Sequence, residues 1–100
     1  MIHSKKKSPD EILRFCDKYY SSGLKQPIIC VPTTYNEIYE HQLEEAGIKV
    51  VIYANQMLRA TYKPMVDVAE SILTNSRSKE ASDKYCISVN EILNLIPGTK

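Results

Sequence analysis

Three polar segments of this 100-residue sequence each follow a short run of apolar residues, and they carry most of the side chains that could do chemistry. They are HSKKKS (residues 3–8), PTTYN (32–36) and ANQMLR (54–59). If the apolar runs are parallel strands, these segments lie at one carboxyl edge, where parallel α/β folds bind ligands. Imidazole, hydroxyl, amide and cationic groups gathered there could donate hydrogen bonds to an anion. The sequence therefore predicts an anion-handling rim formed by these three segments.

The candidates in the first segment also have ordinary structural explanations. His3 follows the first apolar run directly, where it would either donate to an anionic substrate or make a local hydrogen bond at the strand end. Ser4 and Lys5 come next, and they either assist in holding an anion or are solvated loop residues. The types and positions of these residues leave both interpretations open.

The other two segments contribute Thr33, Asn55 and Arg59 to the rim. Thr34, beside Thr33, is adequately explained as a helix cap. Asn55 ends a buried run, so its amide either holds loop backbone or contacts a ligand. Arg59 falls in the first turn of a predicted helix, where the helix dipole disfavours a cation. We therefore expect Arg59 to have an anionic partner, and a structural carboxylate explains this better than a substrate does.

Several kinds of site find no support in the sequence. No acidic residue ends an apolar run, so no metal cradle is visible, and neither a Gly-rich dinucleotide loop nor a P-loop is present. Two histidines without metal-ligand spacing make neither a metal site nor a Ser-His-Asp arrangement. Three cysteines without CxxC spacing favour reduced thiols in a cytoplasmic protein.

Composition and charge are typical of a single globular domain at most. Hydrophobic residues make up 43% of the chain, charged residues 25%, and the formal net charge is +1. This balance does not indicate nucleic-acid or membrane-surface binding, and the apolar runs are too short to span a bilayer. We expect a cytoplasmic protein with neither kind of partner.

Strands alternate with helices along the chain. The strands are predicted as a stub at 1–3 and as buried runs at 27–33 and 48–54. Continuous apolar strands alternating with helices predict an α/β fold with a parallel sheet. Two and a half βα units cannot close a barrel, which needs eight strands. The sequence thus predicts an open α/β fragment whose first strand is almost missing.

The first two helices have clear start and stop signals. SPDE (8–11) is a capping box with proline in the first helical position, and Gly23 ends the helix. TYNE (34–37) is a second capping box, which predicts a helix that continues to Ala46.

After residue 55 the sequence predicts a long helix, a loop and a short terminal helix. The longest helix covers 56–75 with Pro64 inside it, a polar loop follows at 76–84, and Ser88 starts a short terminal helix. Apolar residues of the long helix recur at steps of four and three, which predicts a seam suited to packing along another helix. The seam consists of Leu58, Tyr62, Met65, Ala69 and Ile72.

Read together, four segments resemble the carboxyl-terminal part of the phosphoenolpyruvate mutase family. They are IHSK (2–5), PIICVPTTY (27–35), VVIYANQMLRA (50–60) and ISVNEILNL (87–95). The resemblance covers essentially the whole chain, 1–100, in order and with matching spacing. It implies an α/β fold that runs from the end of strand 6 through helix 8 of a (β/α)8 TIM barrel of the isocitrate lyase superfamily, plus a short terminal helix. The chain would then be a fragment, inactive alone.

The resemblance also implies a chemistry. Family members interconvert phosphoenolpyruvate and phosphonopyruvate, which forms the carbon–phosphorus bond of phosphonate biosynthesis, and they use Mg²⁺ held by acids of the first five strands. His3 would hydrogen-bond the phosphoryl end of the substrate, while the other rim residues, Ser4, Lys5, Thr33, Asn55 and Arg59, would support the rim. Helix 56–75 would be exchanged between subunits of a homo-oligomer. Two alternatives stay open: a phosphonopyruvate hydrolase or related carbon–carbon lyase, and a non-enzymatic α/β interaction module.

Overall fold

A computed structural model describes residues 1–98 of the chain. The chain divides into two compact units, Met1–Asn55 and Gln56–Lys100. The predicted partial barrel extends over 1–100, so its last two residues lie outside the described part. The first unit contains the sheet, and the second consists of helices.

The sheet of the first unit is parallel, as the alternating pattern predicts. Strand β1, Ile28–Cys30, pairs with strand β2, Ile48–Val51. Ile2 forms a parallel bridge with Cys30 on the other side of β1, and its amide donates to the carbonyl of Ile29 at 2.8 Å. The predicted strand stub therefore exists, and the residues that follow all three strand segments lie at one edge of the sheet.

Helix α1, Asp10–Ser21, lies where the sequence predicts it. Ile12 and Cys16, one turn apart, are buried on its inner face. The chain leaves the helix through Gly23, whose φ of +82° suits glycine at a helix end.

The predicted capping box at the start of α1 does not form. Pro9 occupies the cap position without a side-chain capping bond, and the Ser8 hydroxyl accepts only from the Asp10 amide, at 3.2 Å. The Glu11 carboxylate instead accepts a hydrogen bond from the Ser4 hydroxyl at 2.5 Å. A tertiary contact has replaced the local one because Ser4 is buried and needs an acceptor.

Helix α2, Glu40–Glu45, is much shorter than the predicted helix over 34–46. Residues ahead of it form turns rather than helix. The Thr34 hydroxyl, predicted as a cap, donates to the Ser4 carbonyl at 2.5 Å, and the Tyr35 side chain is fully buried. The predicted start was wrong because these two side chains make tertiary contacts that a helix over 34–37 would compete with.

A small core joins the sheet to its two helices. Its largest fully buried side chains include an aromatic ring and two thiols. Partly buried tyrosines of α1 pack against it, and the Tyr20 hydroxyl donates to the Gly47 carbonyl at 2.6 Å. The core residues are Ile12, Cys16, Ile28, Cys30, Tyr35, Leu43 and Ile48.

In the second unit, helix α3 spans Gln56–Asn75 and continues through Pro64. This matches the predicted helix over 56–75. All five seam residues are exposed, with Leu58 at 71% and Tyr62 at 69%. No helix of residues 1–98 is both long enough and apolar enough to cross a membrane.

The prediction of a polar loop over 76–84 is wrong, because most of this segment forms helix α4, Lys79–Tyr85. Ala81 is buried at 1% exposure where α4 packs against α3, and Arg77 pairs with Glu80 across the helix start at 2.5 Å. A single inward-facing alanine in a polar segment gives too little apolar periodicity to mark a helix.

Helix α5, Val89–Leu93, starts at the predicted capping box. The Ser88 amide donates to the Glu91 carboxylate at 2.8 Å, and the Glu91 amide donates to the Ser88 hydroxyl at 3.1 Å. Within residues 1–98 no tertiary contact competes for these two side chains, so the capping box forms as the sequence predicts.

Candidate functional site

His3 lies directly beyond the strand stub, at the carboxyl edge of the sheet. Its imidazole is exposed, and Nδ1 lies 3.4 Å from the carbonyl oxygen of Val31, the residue that follows β1. A cavity of about 290 Å³ is lined by His3, Ile2, Phe15 and two residues of the first turn of α1. The imidazole thus has one weak local contact and remains accessible from solvent, as a ligand-binding histidine requires.

Ser4 is a buried polar residue, at 4% exposure. Its hydroxyl donates to Glu11 at 2.5 Å and accepts from the Lys6 amide at 3.1 Å, while its carbonyl accepts from the Thr34 hydroxyl at 2.5 Å. The Ser4 hydroxyl, and then the Lys6 charge, hold the pKa of the Glu11 carboxyl below its ordinary value. Ser4 is therefore a structural junction rather than a group presented to a ligand.

Lys5 belongs to a second cavity, of about 400 Å³, beside the first loop. Its lining combines two ammonium groups, a hydroxyl, an amide and one carboxylate, from Lys5, Lys7, Thr34, Asn36 and Glu37. Such a set can donate to an anion, and the carboxylate keeps the net charge of the wall low. Lys5 thus lies beside the loop for which the sequence predicts an anion-handling rim.

Thr33 is half-buried in the turn that follows β1. Its amide donates to the carbonyl of Val31 at 2.9 Å, two residues back. That carbonyl also receives the weak contact from His3. Thr33 and His3 therefore contact the same carbonyl at the carboxyl edge of the sheet, and Thr33 helps to shape the loop there.

The last two predicted rim residues fall in different units. Asn55 is half-buried and ends the first unit, whereas Arg59 is exposed in the first turn of α3 and belongs to the second unit. The structure brings His3, Ser4, Lys5 and Thr33 together at the edge of one unit.

Sequence reasoning missed Tyr35. Its ring is fully buried beside Cys30, and within residues 1–98 its hydroxyl makes no hydrogen bond of normal geometry. Burial raises the pKa of Tyr35 to about 12, and burial also raises the pKa of Cys16 and of Cys30. These groups are neutral at physiological pH, so they serve the core beneath the site rather than acid–base or thiolate chemistry. A tyrosine inside the polar segment PTTYN carries no local signal of burial.

Residues 1–98 do not fit a metal centre. Among them, no group of three histidine, cysteine or acidic residues could hold an ion. The groups at the edge are cations, hydroxyls and an imidazole, which suit an anion better than Mg²⁺. Any Mg²⁺-dependent step would need ligands from elsewhere.

The parallel α/β unit with its accessible edge is of the type that TIM-barrel enzymes contain, and comparison identifies the family. The family model described as phosphoenolpyruvate phosphomutase matches residues 1–73. The chain therefore belongs to the phosphoenolpyruvate phosphomutase family.

Curated relatives include both a hydrolase and mutases. The phosphonopyruvate hydrolase of Variovorax sp. (strain Pal2) is 33% identical over 95% of this chain and 32% of its own length. The phosphoenolpyruvate phosphomutase of Tetrahymena pyriformis is 28% identical over 95% of this chain and 30% of its own length. The chain thus spans about a third of these relatives.

Solved structures give the same picture. A phosphoenolpyruvate phosphomutase from Streptomyces platensis subsp. rosaceus superposes with a TM-score of 0.75 at 35% identity, over 92% of this chain and 31% of that one. A phosphonopyruvate hydrolase superposes with a TM-score of 0.73 at 33% identity, and a further hydrolase structure is a complex with oxalate and Mg²⁺. These neighbours form a TIM-barrel family, and this chain is α/β and partial.

Proposed function

We propose that the chain is the carboxyl-terminal part, from the end of strand 6 through helix 8, of a barrel that interconverts phosphoenolpyruvate and phosphonopyruvate. The observation that carries the proposal is the order of three parallel strand segments with His3 at their carboxyl edge, within the stretch that the family model matches. The chain alone would not catalyse, because its described residues offer no metal site and only part of a barrel.

In this proposal His3 serves as a donor to the phosphoryl group. Phosphoryl transfer proceeds through a loose transition state whose charge is spread over the phosphoryl oxygens, so fixed donors around those oxygens lower the barrier. The exposed imidazole at the sheet edge can supply one such hydrogen bond. Lys5 adds positive charge nearby, and Ser4, Thr33 and Asn55 support the rim. Arg59, in the second unit, stays a predicted residue of the rim. Mg²⁺, held by acids of the rest of the barrel, would supply charge neutralisation.

A second function is favoured by a specific observation. The hydrolase from Variovorax is as similar to this chain as the mutases are, at 33% identity against 28% for the Tetrahymena enzyme. Phosphonopyruvate hydrolysis on the same barrel is therefore the alternative reaction, and a related carbon–carbon lyase is a variant of it. In this proposal the residues that separate the two reactions would lie in the part of the barrel that precedes this chain.

Complementation tests the proposal. The chain is mixed in parallel with the separately expressed amino-terminal two thirds of a related mutase and of a related hydrolase, each with Mg²⁺ and phosphonopyruvate, and the products are followed by ³¹P NMR. Phosphoenolpyruvate formed with the mutase part supports the mutase, whereas turnover to phosphate and pyruvate restored only with the hydrolase part supports the hydrolase. If the chain alone is a compact monomer that melts cooperatively and restores neither reaction, the interaction module is the better account.

His3→Ala is the residue-level test in the complemented protein. Loss of a charge-assisted donor to the transition state should lower kcat by about 10²-fold or more while the complex still assembles. His41→Ala is the matched control, because His41 lies in α2, stacked on Tyr39, rather than at the sheet edge. Equal turnover for the His3 variant and the unchanged chain would remove His3 from the site.

Three further properties belong to the same proposal. The seam of α3 would pack against another subunit in a homo-oligomer, a cytoplasmic location fits the three thiols without disulfides, and phosphonate biosynthesis would be the pathway. The family resemblance supports the first and last of these.

A further inference from the structure

We propose that Ser4, Glu11 and Thr34 form a latch that fixes the loop carrying His3, which makes Glu11 and Thr34 positioning residues of the site. The latch is defined by the contacts of these three residues. Its assignment to catalysis depends on the proposed function, because only that function gives His3 a substrate. The claim that the latch orders the loop does not depend on the proposed function.

The latch joins three separate parts of the first unit. Ser4 belongs to the loop after the strand stub, Glu11 to the first turn of α1, and Thr34 to the loop after β1. Ser4 donates to Glu11 and accepts from Thr34, both at 2.5 Å, across separations of 7 and 30 residues. Ser4 is 4% exposed, so water does not compete freely for these bonds, and losing a partner would leave a buried polar group unpaired.

His3 lies between two fixed points of backbone. On its amino side the Ile2 amide donates to the Ile29 carbonyl at 2.8 Å, and on its carboxyl side Ser4 is held by the latch. The imidazole itself makes only the long contact of 3.4 Å to Val31. The position of the ring is therefore determined by its backbone anchors rather than by its own hydrogen bond, and releasing the anchor at Ser4 should release the ring.

The latch also opposes the charge of the loop. Lys5, Lys6 and Lys7 follow Ser4 directly, and three adjacent like charges repel one another. Glu11 counters this repulsion, since the Lys6 ammonium lies 3.9 Å from its carboxylate while the Lys6 amide donates to the Ser4 hydroxyl. A glutamate of ordinary pKa is already ionised at neutral pH, and the Ser4 hydroxyl, then the Lys6 charge, lowers the pKa of Glu11 further, so the carboxylate can accept from Ser4 at neutral pH.

Loop order is measured on the 100-residue chain with limited trypsin digestion. Cleavage after Lys5, Lys6 or Lys7 is compared with cleavage after the exposed Lys25, which lies outside the latch and serves as an internal reference. Thr34→Val keeps the shape of the side chain and removes its hydroxyl, so it should raise the loop-to-reference ratio about fivefold. Glu11→Gln removes the negative charge that faces Lys6, so it should also raise the loop-to-reference ratio. Thr34→Ser keeps the hydroxyl, so it should keep the ratio of the unchanged chain.

The matched control is Ser22→Ala. It also deletes one side-chain hydroxyl bond of the first unit, from Ser22 to the Lys18 carbonyl at 2.7 Å, but at the far end of α1. The ratio should stay unchanged in this variant. Because the chain has two histidines, the His41 resonance is an internal reference for the His3 ring in NMR spectra of the same samples. The His3 resonance should shift and broaden in Thr34→Val while that of His41 does not.

The catalytic part of the inference is tested in the complemented protein. Thr34→Val should lower kcat about fivefold with little change in KM, Thr34→Ser should restore it, and Ser22→Ala should leave it unchanged. Unchanged digestion and an unchanged His3 resonance in both Thr34→Val and Glu11→Gln would overturn the latch. A released loop with unchanged kcat would overturn its positioning role, whereas complementation without turnover in the unchanged chain would contradict the proposed function and leave the latch to the first two measurements.

Discussion

The surroundings of Gly47 leave no room for a side chain. Its φ is +93°, and a Cβ at this position would lie 2.3 Å from Cε2 of the Tyr20 ring. The same ring reaches over the turn so that its hydroxyl donates to the Gly47 carbonyl at 2.6 Å. The close approach of Tyr20 to the backbone between α2 and β2 depends on the missing side chain.

Gly47→Ala should therefore destabilise the first unit by about 2–4 kcal/mol, from the left-handed backbone and the clash together. Gly23→Ala is the matched control, since Gly23 has a φ of +82° but no heavy atom of residues 1–98 would meet its Cβ within 4 Å. It should cost only about 1 kcal/mol. Urea unfolding followed by circular dichroism measures both changes, and equal costs would show that Tyr20 moves aside freely.

Glu11 should make the stability of the chain depend on pH. Its pKa in the folded chain is lowered from 4.5, mainly by the Ser4 hydroxyl. The folded state therefore binds fewer protons than the unfolded state below about pH 5, so stability is present above that range and is lost as pH falls through the lowered pKa. Glu11→Gln should be less stable at pH 7 and should approach the unchanged chain as the pH falls through the lowered pKa of Glu11.

Unfolding free energies at several pH values between 7 and 3 test this expectation. The pKa values of Glu80 and Glu91 are lowered as well, so only the difference between the variant and the unchanged chain isolates Glu11. Glu44→Gln, on the exposed part of α2, is the control substitution. Parallel pH curves for the Glu11 variant and the unchanged chain would contradict the role given to this carboxylate.

At the scale of single residues, the sequence predicted where a residue lies in the fold better than which residues its side chain contacts. It placed His3 beyond a strand stub at the carboxyl edge, and the structure has it there. Ser4 was expected in a loop and Thr34 and Glu11 in caps, yet these three residues bond to one another. Their separations of 7 and 30 residues are not periodic with any element, so only the folded chain could reveal the latch.

At the scale of elements, helices with an apolar face and strong ends were predictable, and short polar ones were not. Helix α1 and helix α3 lie where their periodicity indicates. Helix α4 was missed because one buried alanine, Ala81, is its whole inner face. The start of α2 was misplaced because Thr34 and Tyr35 gain more from tertiary contacts than from a local cap.

Pro64 is a local defect within α3. The helix spans Gln56–Asn75 without interruption, although an interior proline removes one backbone hydrogen bond and crowds the preceding turn, at a cost of about 3 kcal/mol. Pro64→Ala should therefore raise the helicity at 222 nm and stabilise the second unit by up to about 3 kcal/mol. Met65→Ala, at the neighbouring exposed position, should change stability by only a few tenths of a kcal/mol. Lower helicity in Pro64→Ala would show that the helix needs the proline.

At the scale of the whole molecule, the dominant feature is uncovered apolar surface. The seam of α3 is exposed along its length, and apolar side chains after α4 are exposed too, among them Ile87, Val89 and Ile92. Exposed apolar surface of this extent marks sites of association in soluble proteins. Since the chain spans about a third of its relatives, this surface is consistent with the proposal that further protein normally covers it.

The seam makes a specific prediction about self-association. If α3 packs against a second subunit through the seam, replacing Leu58 and Met65 together by lysine should weaken association at least tenfold, about 1.4 kcal/mol, because two charges would enter an apolar contact. Met57 and Thr74 are also exposed on α3 but lie off the seam, so their joint replacement by lysine is the matched control.

Sedimentation equilibrium over a range of concentrations measures the association constant of each chain. The off-seam pair should change it by less than about threefold, since charges added outside the contact remain hydrated and act on association only through the screened field. Equal weakening by both pairs would mean that association is non-specific apolar sticking rather than packing along the seam. A chain that stays monomeric throughout the range would contradict the proposed homo-oligomer, because the seam has its full apolar surface available in the unchanged protein.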